Sequence, residues 1–237
     1  MSRRFSSQRP IRLSDTDARG RLRLDAVARY LQDVASDDWE DAGFGESDSV
    51  WVVRRTELSV TRPFRTDLAV ELETWCSGVA GSAAARRYSL RGDAGGAIEA
   101  ESTWIHLDMS LRPRRLDERF LAVYGASANG RRASTRLTLA MDGHGDGQGC
   151  SWRLRVADID RLGHVNNAAY WSPLEDAWAG RLDGRLRAVV EYRKPIDLGE
   201  DVELVTRGDL AWLAVAGEVR SAARLDPDGA AAAEPLA

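Results

Sequence analysis

The chain has 237 residues, with 33 Lys and Arg against 37 Asp and Glu, for a formal charge of −4. Hydrophobic residues make up 43% of it, enough to bury a core and too many for a disordered chain. The acidic balance argues against a nucleic-acid partner, no apolar run approaches the roughly 20 residues of a membrane helix, and Cys76 and Cys150 make neither a disulfide framework nor a cysteine-based zinc site. The first ten residues, MSRRFSSQRP, put arginines ahead of no apolar stretch, so no secretory signal is expected. The expectation is a soluble, cytoplasmic protein that needs no metal and no cofactor.

Leu24, Val27, Ala28, Leu31, Val34 and Ala35 recur at helical spacing. They predict a helix of roughly 14 residues, capped by Asp25 and stopped by Gly43. Trp51 to Val60 predicts a Val-rich strand, and Leu68, Val70 and Leu72 alternate with polar and small residues as in a half-buried strand. Two further strands are predicted over 83–90 and 98–107, with the turn GDAGG at 92–96 between them. Residues 111–149 contain RPRR, GASANG and DGHGDGQG and read as a linker or long loop. Beyond it Trp152, Leu154 and Val156 alternate with Arg153 and Arg155. A helical segment is predicted over 168–179, then strands near 188–192, 202–206 and 210–219. The Ala-rich tail after Asp226 is expected to fray.

Two short motifs recur in the same order. DTDARGRL (15–22) and DIDRLGHV (158–165) share D-x-D-x-x-G-x-apolar, and LSVTRPF (58–64) and VEYRKPI (190–196) both end an alternating stretch with a basic residue and a proline. This order points to a duplicated module. Each module is a helix followed by an antiparallel meander, and the helix must bury its apolar stripe on the sheet. The expected class is α+β: antiparallel sheet wrapped around central helices, twice in one chain, is a tandem (double) hot-dog, and the same order of elements is also compatible with other α+β folds. The expected division is 1–112, a linker over 113–149, a second hot-dog over 150–226 and a tail over 227–237.

The densest cluster of chemically capable side chains is DIDRLGHVNNAAY at 158–170, where a strand gives way to the second helix. Gly163 permits a tight turn, Asn166 and Asn167 suit a helix start, and free N–H groups there can polarise a carbonyl oxygen. Asp and Asn before a helix also serve as simple turn-formers and caps. His106 is read as structural, and His144 in its Gly-rich loop has too few neighbours for a metal site.

The run Asp160-x-x-Gly-His164-Val-Asn-Asn-x-x-Tyr170 resembles the thioesterase signature of the hot-dog superfamily. The wider chain is similar to the acyl-ACP thioesterases: 20–44 resembles their first central helix, 51–78 their next two strands, and 101–116 the strand and turn before the linker. The resemblance implies hydrolysis of a fatty acyl thioester on acyl carrier protein, as part of fatty acid biosynthesis. It implies Asp160 as base or nucleophile, His164 orienting water or substrate, and Glu175 as a second acidic group. It assigns substrate binding to Gly163, Val165, Asn166, Asn167 and Tyr170. Two positions depart from the plant-type pattern. Leu162 stands where that pattern has Asn, and Pro195 stands at or near its later Glu. Those departures fit the simpler single hot-dog thioesterases better, and Glu175 also completes a Ser172-x-x-Glu capping box. In the first module Asp17 and Gly20 keep their places but Arg21 replaces His164, so that half reads as scaffold and acyl-pocket wall.

Arginine pairs at 54–55, 86–87, 114–115 and 131–132 are candidates for contact with an acidic carrier or with the phosphates of coenzyme A. The partner is acyl carrier protein or acyl-CoA, and the chain is expected as monomer or homodimer. An acyl-CoA thioesterase and a non-catalytic acyl-binding module remain alternatives.

Overall fold

The structure is a computed structural model, and it describes residues 2–45, 49–142, 144–227 and 229. Its strands in chain order are β1 (Phe5–Pro10), β2 (Ser49–Arg62), β3 (Ala69–Ala80), β4 (Ala83–Gly92), β5 (Ala97–Asp108), β6 (Gln148–Trp152), β7 (Leu186–Tyr192), β8 (Val202–Arg207), β9 (Leu210–Val215) and β10 (Glu218–Pro227). The helices are α1 (Leu24–Asp41), α2 (Glu118–Tyr124) and α3 (Trp171–Ala177). All strand pairs are antiparallel, in one sheet of order β1-β3-β4-β5-β2-β7-β10-β9-β8-β6.

The halves meet where β2 pairs with β7, from Arg55 opposite Glu191 to Val60 opposite Leu186. Across that seam Glu57 accepts from Arg187 at 2.5 Å. The apolar stripe of α1 (Leu24, Val27, Leu31, Val34) shares one core with Val60, Val70, Leu72, Leu90 and Ile98 of the first half. Trp171 and Leu174 of α3 share it with Ala188, Val190, Leu204 and Leu213 of the second. Burying each such aliphatic side chain contributes about 1.5–3 kcal/mol, which is why sheet and helices close on each other. This is the tandem hot-dog: one helix to each half of a continuous sheet.

The details correct the sequence reading in places. α1 runs 18 residues and begins one residue before Asp25. Asp25 is buried and bound to Arg23 and Arg29 rather than capping the helix. Gly43 does end it, at φ +76. The stretch 210–219 is two strands, because Ala216 and Gly217 both take positive φ and turn the chain. β6 stops at Trp152, and a 3-10 turn at Val156–Asp158 follows. β1 escaped the sequence reading, and β10 continues to Pro227, one residue into the expected tail; of the residues beyond it only Gly229 is described.

The segment over 113–149 carries α2, whose Phe120 and Tyr124 pack with Trp39, Phe44 and Trp51. Farther on it lies over the outer face of the second half. There fully buried Glu191 accepts from the Thr138 N–H, the Thr138 hydroxyl and the Leu139 N–H at 2.8–2.9 Å. Trp212 Nε1 donates to Ala140 O at 2.8 Å, and Leu139 packs on Val189 and Val205.

Candidate active site

The two D-x-D-x-x-G motifs fold into the same turn, bond for bond. Asp15 Oδ2 accepts from Arg12 N at 3.0 Å, and Asp158 Oδ2 from Arg155 N at 2.8 Å. Asp17 N donates to Arg21 O and Asp160 N to His164 O, each at 2.8 Å. Gly20 and Gly163 sit at φ +78 and +83, where a side chain is strained. The apolar residue that closes each turn bonds the end of the second repeated motif: Leu22 N donates to Phe64 O, and Val165 N to Ile196 O. The two repeats in the sequence are therefore the two sides of one device, built twice.

The carboxylate inside each turn plays the same part. Asp17 Oδ1 accepts from Arg19 N and Arg21 N at 2.8 and 2.9 Å, and Asp160 Oδ1 from Leu162 N and His164 N at 2.8 and 3.4 Å. Their second oxygens differ. Asp17 Oδ2 lies 3.1 Å from Arg21 Nε in an ion pair. Burial works against its ionisation, but the backbone donors and Arg21 overcome this and hold its carboxyl below the usual range. Asp160 Oδ2 has no partner among the described residues.

The helix starts differ in the same sense. In the first half Glu175 reaches over from α3, accepts from the Leu24 N–H at the start of α1, and pairs with Arg21 Nη2 at 2.6 Å. The expected capping box at Ser172 does not form: α3 begins at Trp171 with no side-chain cap. All the hydrogen bonds and the ion pair of Glu175 lie in the first half, so the structure does not join it to Asp160 and His164. In the second half the equivalent N–H belongs to Asn167, in a turn four residues before α3 begins, and among the described residues it is free. The neighbouring Asn166 takes the cap's role, its Oδ1 accepting from Ala168 N at 2.8 Å.

His164 has a partner that sequence reasoning missed. Its Nδ1 lies 2.5 Å from Asp197 Oδ1, and the two residues form an isolated antiparallel bridge. A carboxylate only accepts, so Nδ1 carries the hydrogen, and in the neutral ring Nε2 presents its lone pair. Asp197 is itself held through its N–H, which donates to Glu200 Oε2 at 2.8 Å. It stands two residues past Pro195, which is exposed, and Leu162 is half exposed to solvent. The signal was available only as an acidic residue just after KPI, with nothing local to tie it to a histidine 33 residues upstream.

A small cavity lies between the halves, with room of about 10 Å³, near the size of one water. Ala28, Leu31 and Gln32 of α1, Trp104 of β5, and Asn167 and Trp171 of the second half line it. Of the residues assigned to substrate binding, Asn167 faces this cavity, whereas Val165 and Tyr170 are buried in the core. Tyr170 stacks edge-on to Tyr192 with centroids 5.2 Å apart, and burial raises its hydroxyl pKa. Among the arginine pairs, Arg54 binds the Tyr192 and Arg193 carbonyls. Arg55 pairs with Glu57, Arg86 with buried Asp38, and Arg87 and Arg131 with Glu101. Arg115 and Arg132 are exposed. His106 is structural, stacked on Trp51 and bonded to Arg114 O.

In the second-half turn an Asp160 oxygen, the His164 Nε2 and the Asn167 N–H are without partners among the described residues. The model of the acyl-ACP thioesterase N-terminal domain matches residues 2–124, and that of the C-terminal domain residues 145–226. The chain belongs to the acyl-ACP thioesterase family and is a hydrolase of acyl thioesters. Two Mycobacterium tuberculosis proteins, the uncharacterized proteins Rv2001 and MT2057, are each 34% identical to it over 194 residues, 81% of this chain and 77% of theirs. The fold is shared with a candidate oleoyl thioesterase of Lactobacillus plantarum at TM-score 0.79 and 19% identity, covering 94% of this chain and 95% of that one. It is shared with an acyl-ACP thioesterase of Bacteroides thetaiotaomicron at TM-score 0.76 and 18% identity (94% and 97%). A 12:0-ACP thioesterase of Umbellularia californica follows at TM-score 0.72 and 18% identity (94% and 96%).

Proposed function

We propose that this chain releases free fatty acid from acyl-ACP in the cytoplasm, and that the reaction takes place at the turn over 160–167. The observation that carries this is the contrast between the two turns. In the first half Arg21 and Glu175 occupy the second carboxylate oxygen and the helix-start N–H. In the second half neither group has a partner among the described residues. The thioester carbonyl oxygen bonds the Asn167 N–H, which stabilises the negative charge that develops there. Asp160 Oδ2 takes the proton of the attacking water and passes it to the leaving thiol, or attacks the carbonyl carbon itself to give a mixed anhydride that water then hydrolyses, restoring the carboxylate. His164 orients the water through Nε2, and Asp197 holds the ring in that tautomer. The C–S bond breaks, the thiol of the carrier leaves with a proton, and the acid is released.

The carrier is acidic by this reading, and exposed Arg161 and Arg193 flank the His164–Asp197 pair in sequence. The apolar residues of the cavity, Ala28, Leu31 and Val53, take the start of the acyl chain, and side chains must move to admit more than a few atoms.

The test is thiol release from matched panels of acyl-ACP and acyl-CoA, with wild type beside His164→Gln. Hydrolysis that favours acyl-ACP and falls at least about 10²-fold in the variant is expected. Preference for acyl-CoA would move the assignment to the coenzyme thioester. Saturable acyl binding with no thiol released from either series would make the chain a binding module.

A further inference from the structure

Residues 143 apart are equivalent in the two turns: Asp17 and Asp160, Arg21 and His164, Leu24 and Asn167. The same offset makes Gln32 the counterpart of Glu175, since 175 − 143 = 32. Glu175 of α3 crosses to the first half, where one oxygen accepts from the Leu24 N–H and the other faces Arg21. Gln32 sits on the mirrored helix, α1, on the face that also carries Ala28 and Leu31. Together with Asn167 and Ala168 it lines the cavity between the halves. Its side-chain amide has no hydrogen-bond partner among the described residues.

Resting on the thioesterase reading above, we propose that Gln32 is a catalytic residue supplied by the first half, donating an amide N–H to the thioester carbonyl oxygen beside the Asn167 N–H. The carboxylate oxygen of Glu175 on the Leu24 N–H shows where that oxygen sits: an anionic oxygen is already bound there in the closed half. The chemical difference between the two positions follows. A carboxylate at 32 would accept from the Asn167 N–H and shut the site as Glu175 shuts the other. An amide has nothing to gain from that charge and brings a donor instead. The first half is then more than a wall for the acyl chain, because the site is incomplete without it.

Steady-state hydrolysis of acyl-ACP by the full chain tests this with three variants. Gln32→Met keeps length and removes the donor; kcat is expected to fall about 10–10²-fold with KM changed less than about threefold. Gln32→Glu is isosteric and puts an acceptor where the donor stood; at neutral pH its kcat is expected to fall at least as far as that of Gln32→Met. Glu175→Gln, the same exchange in the closed half, is expected to leave kcat unchanged. Wild-type kcat in Gln32→Met or in Gln32→Glu, or an equal loss of kcat in Glu175→Gln, would each overturn the inference. Failure of wild type itself to release thiol would overturn the thioesterase reading beneath it, so the two failures are told apart.

Discussion

Asp160 and Asp17 spend one oxygen on the same two backbone donors of the same turn. What separates them is the residue four positions on. Arg21 claims the second oxygen of Asp17, whereas His164 turns its ring to Asp197 and leaves Asp160 Oδ2 free. The tautomer of His164 depends on Asp197, so Asp197→Ala is expected to lower kcat about 10–10²-fold with little change in KM, read by steady-state kinetics. An Asp197→Ala enzyme with wild-type kcat would remove that residue from the site. The sequence shows Asp160, Gly163 and His164 plainly, because a carboxylate, a positive-φ glycine and a histidine fall within five residues. Asp197 was hidden because an isolated bridge outside the named strands, not chain proximity, brings it to His164. Glu175 misled for the opposite reason. Ser172-x-x-Glu175 is locally consistent with a capping box, and a long-range partner, the start of α1, outbid it.

At the scale of elements, α1 is capped from outside by α3. Arg23 offers no side-chain acceptor, so Glu175 supplies one across the interface of the halves. Glu175→Ala leaves Arg21 buried with Asp17 and Leu22 O still bound. A loss of about 2 kcal/mol is expected, below the roughly 3–5 kcal/mol of a fully orphaned buried ion, and the urea midpoint measures it. The loops beside the site make a separate prediction. Arg161→Glu with Arg193→Glu is expected to raise KM for acyl-ACP severalfold, most at low salt, and to leave a small neutral acyl thioester unaffected. Equal effects on both substrates would place these arginines outside carrier docking. The long strands and α1 were legible from periodicity. The β9–β10 hairpin was not, because Ala216-Gly217 carries none of the Asn, Asp or Pro that usually mark a turn.

For the whole molecule, charge pairs tie the sheet together across the seam and tie the 113–149 segment to β5. Burial opposes ionisation of Glu57 and Glu101, but hydrogen bonds from Arg187 and Arg131 more than offset it, so both carboxyls lie below the usual range. Asp15 and Asp25 shift the same way: burial opposes their charge, and Tyr30 (for Asp15) and Arg23 (for Asp25) favour it. Carboxylates lowered by folding stabilise above their ordinary pKa of about 4, and that stability is lost as pH falls through the lower folded values. At the other end burial pushes the Tyr124 hydroxyl up to about 12. Its contribution holds below the ordinary tyrosine pKa of about 10 and fades as pH rises toward 12. Thermal unfolding against pH is expected to show a plateau between these limits, with a fall below about pH 4; a maximum on the acid side would contradict the ion-pair account. The duplication was visible in two short motifs. That the second motif of each half receives the first, and that the linker straps the outer face through Glu191, became clear only in three dimensions.

One turn works and its copy is closed: that claim is tested most directly by replacing the two equivalent carboxylates in parallel. Asp160→Asn and Asp17→Asn both keep an oxygen for the turn's backbone donors; Asp17→Asn also gives up the ion pair with Arg21, so the scaffold variant carries the larger structural cost and is the stricter control. Thiol release from acyl-ACP is predicted to drop by roughly three orders of magnitude in Asp160→Asn and to stay within about twofold of wild type in Asp17→Asn. Equal losses in both, or activity retained in Asp160→Asn, would contradict the account.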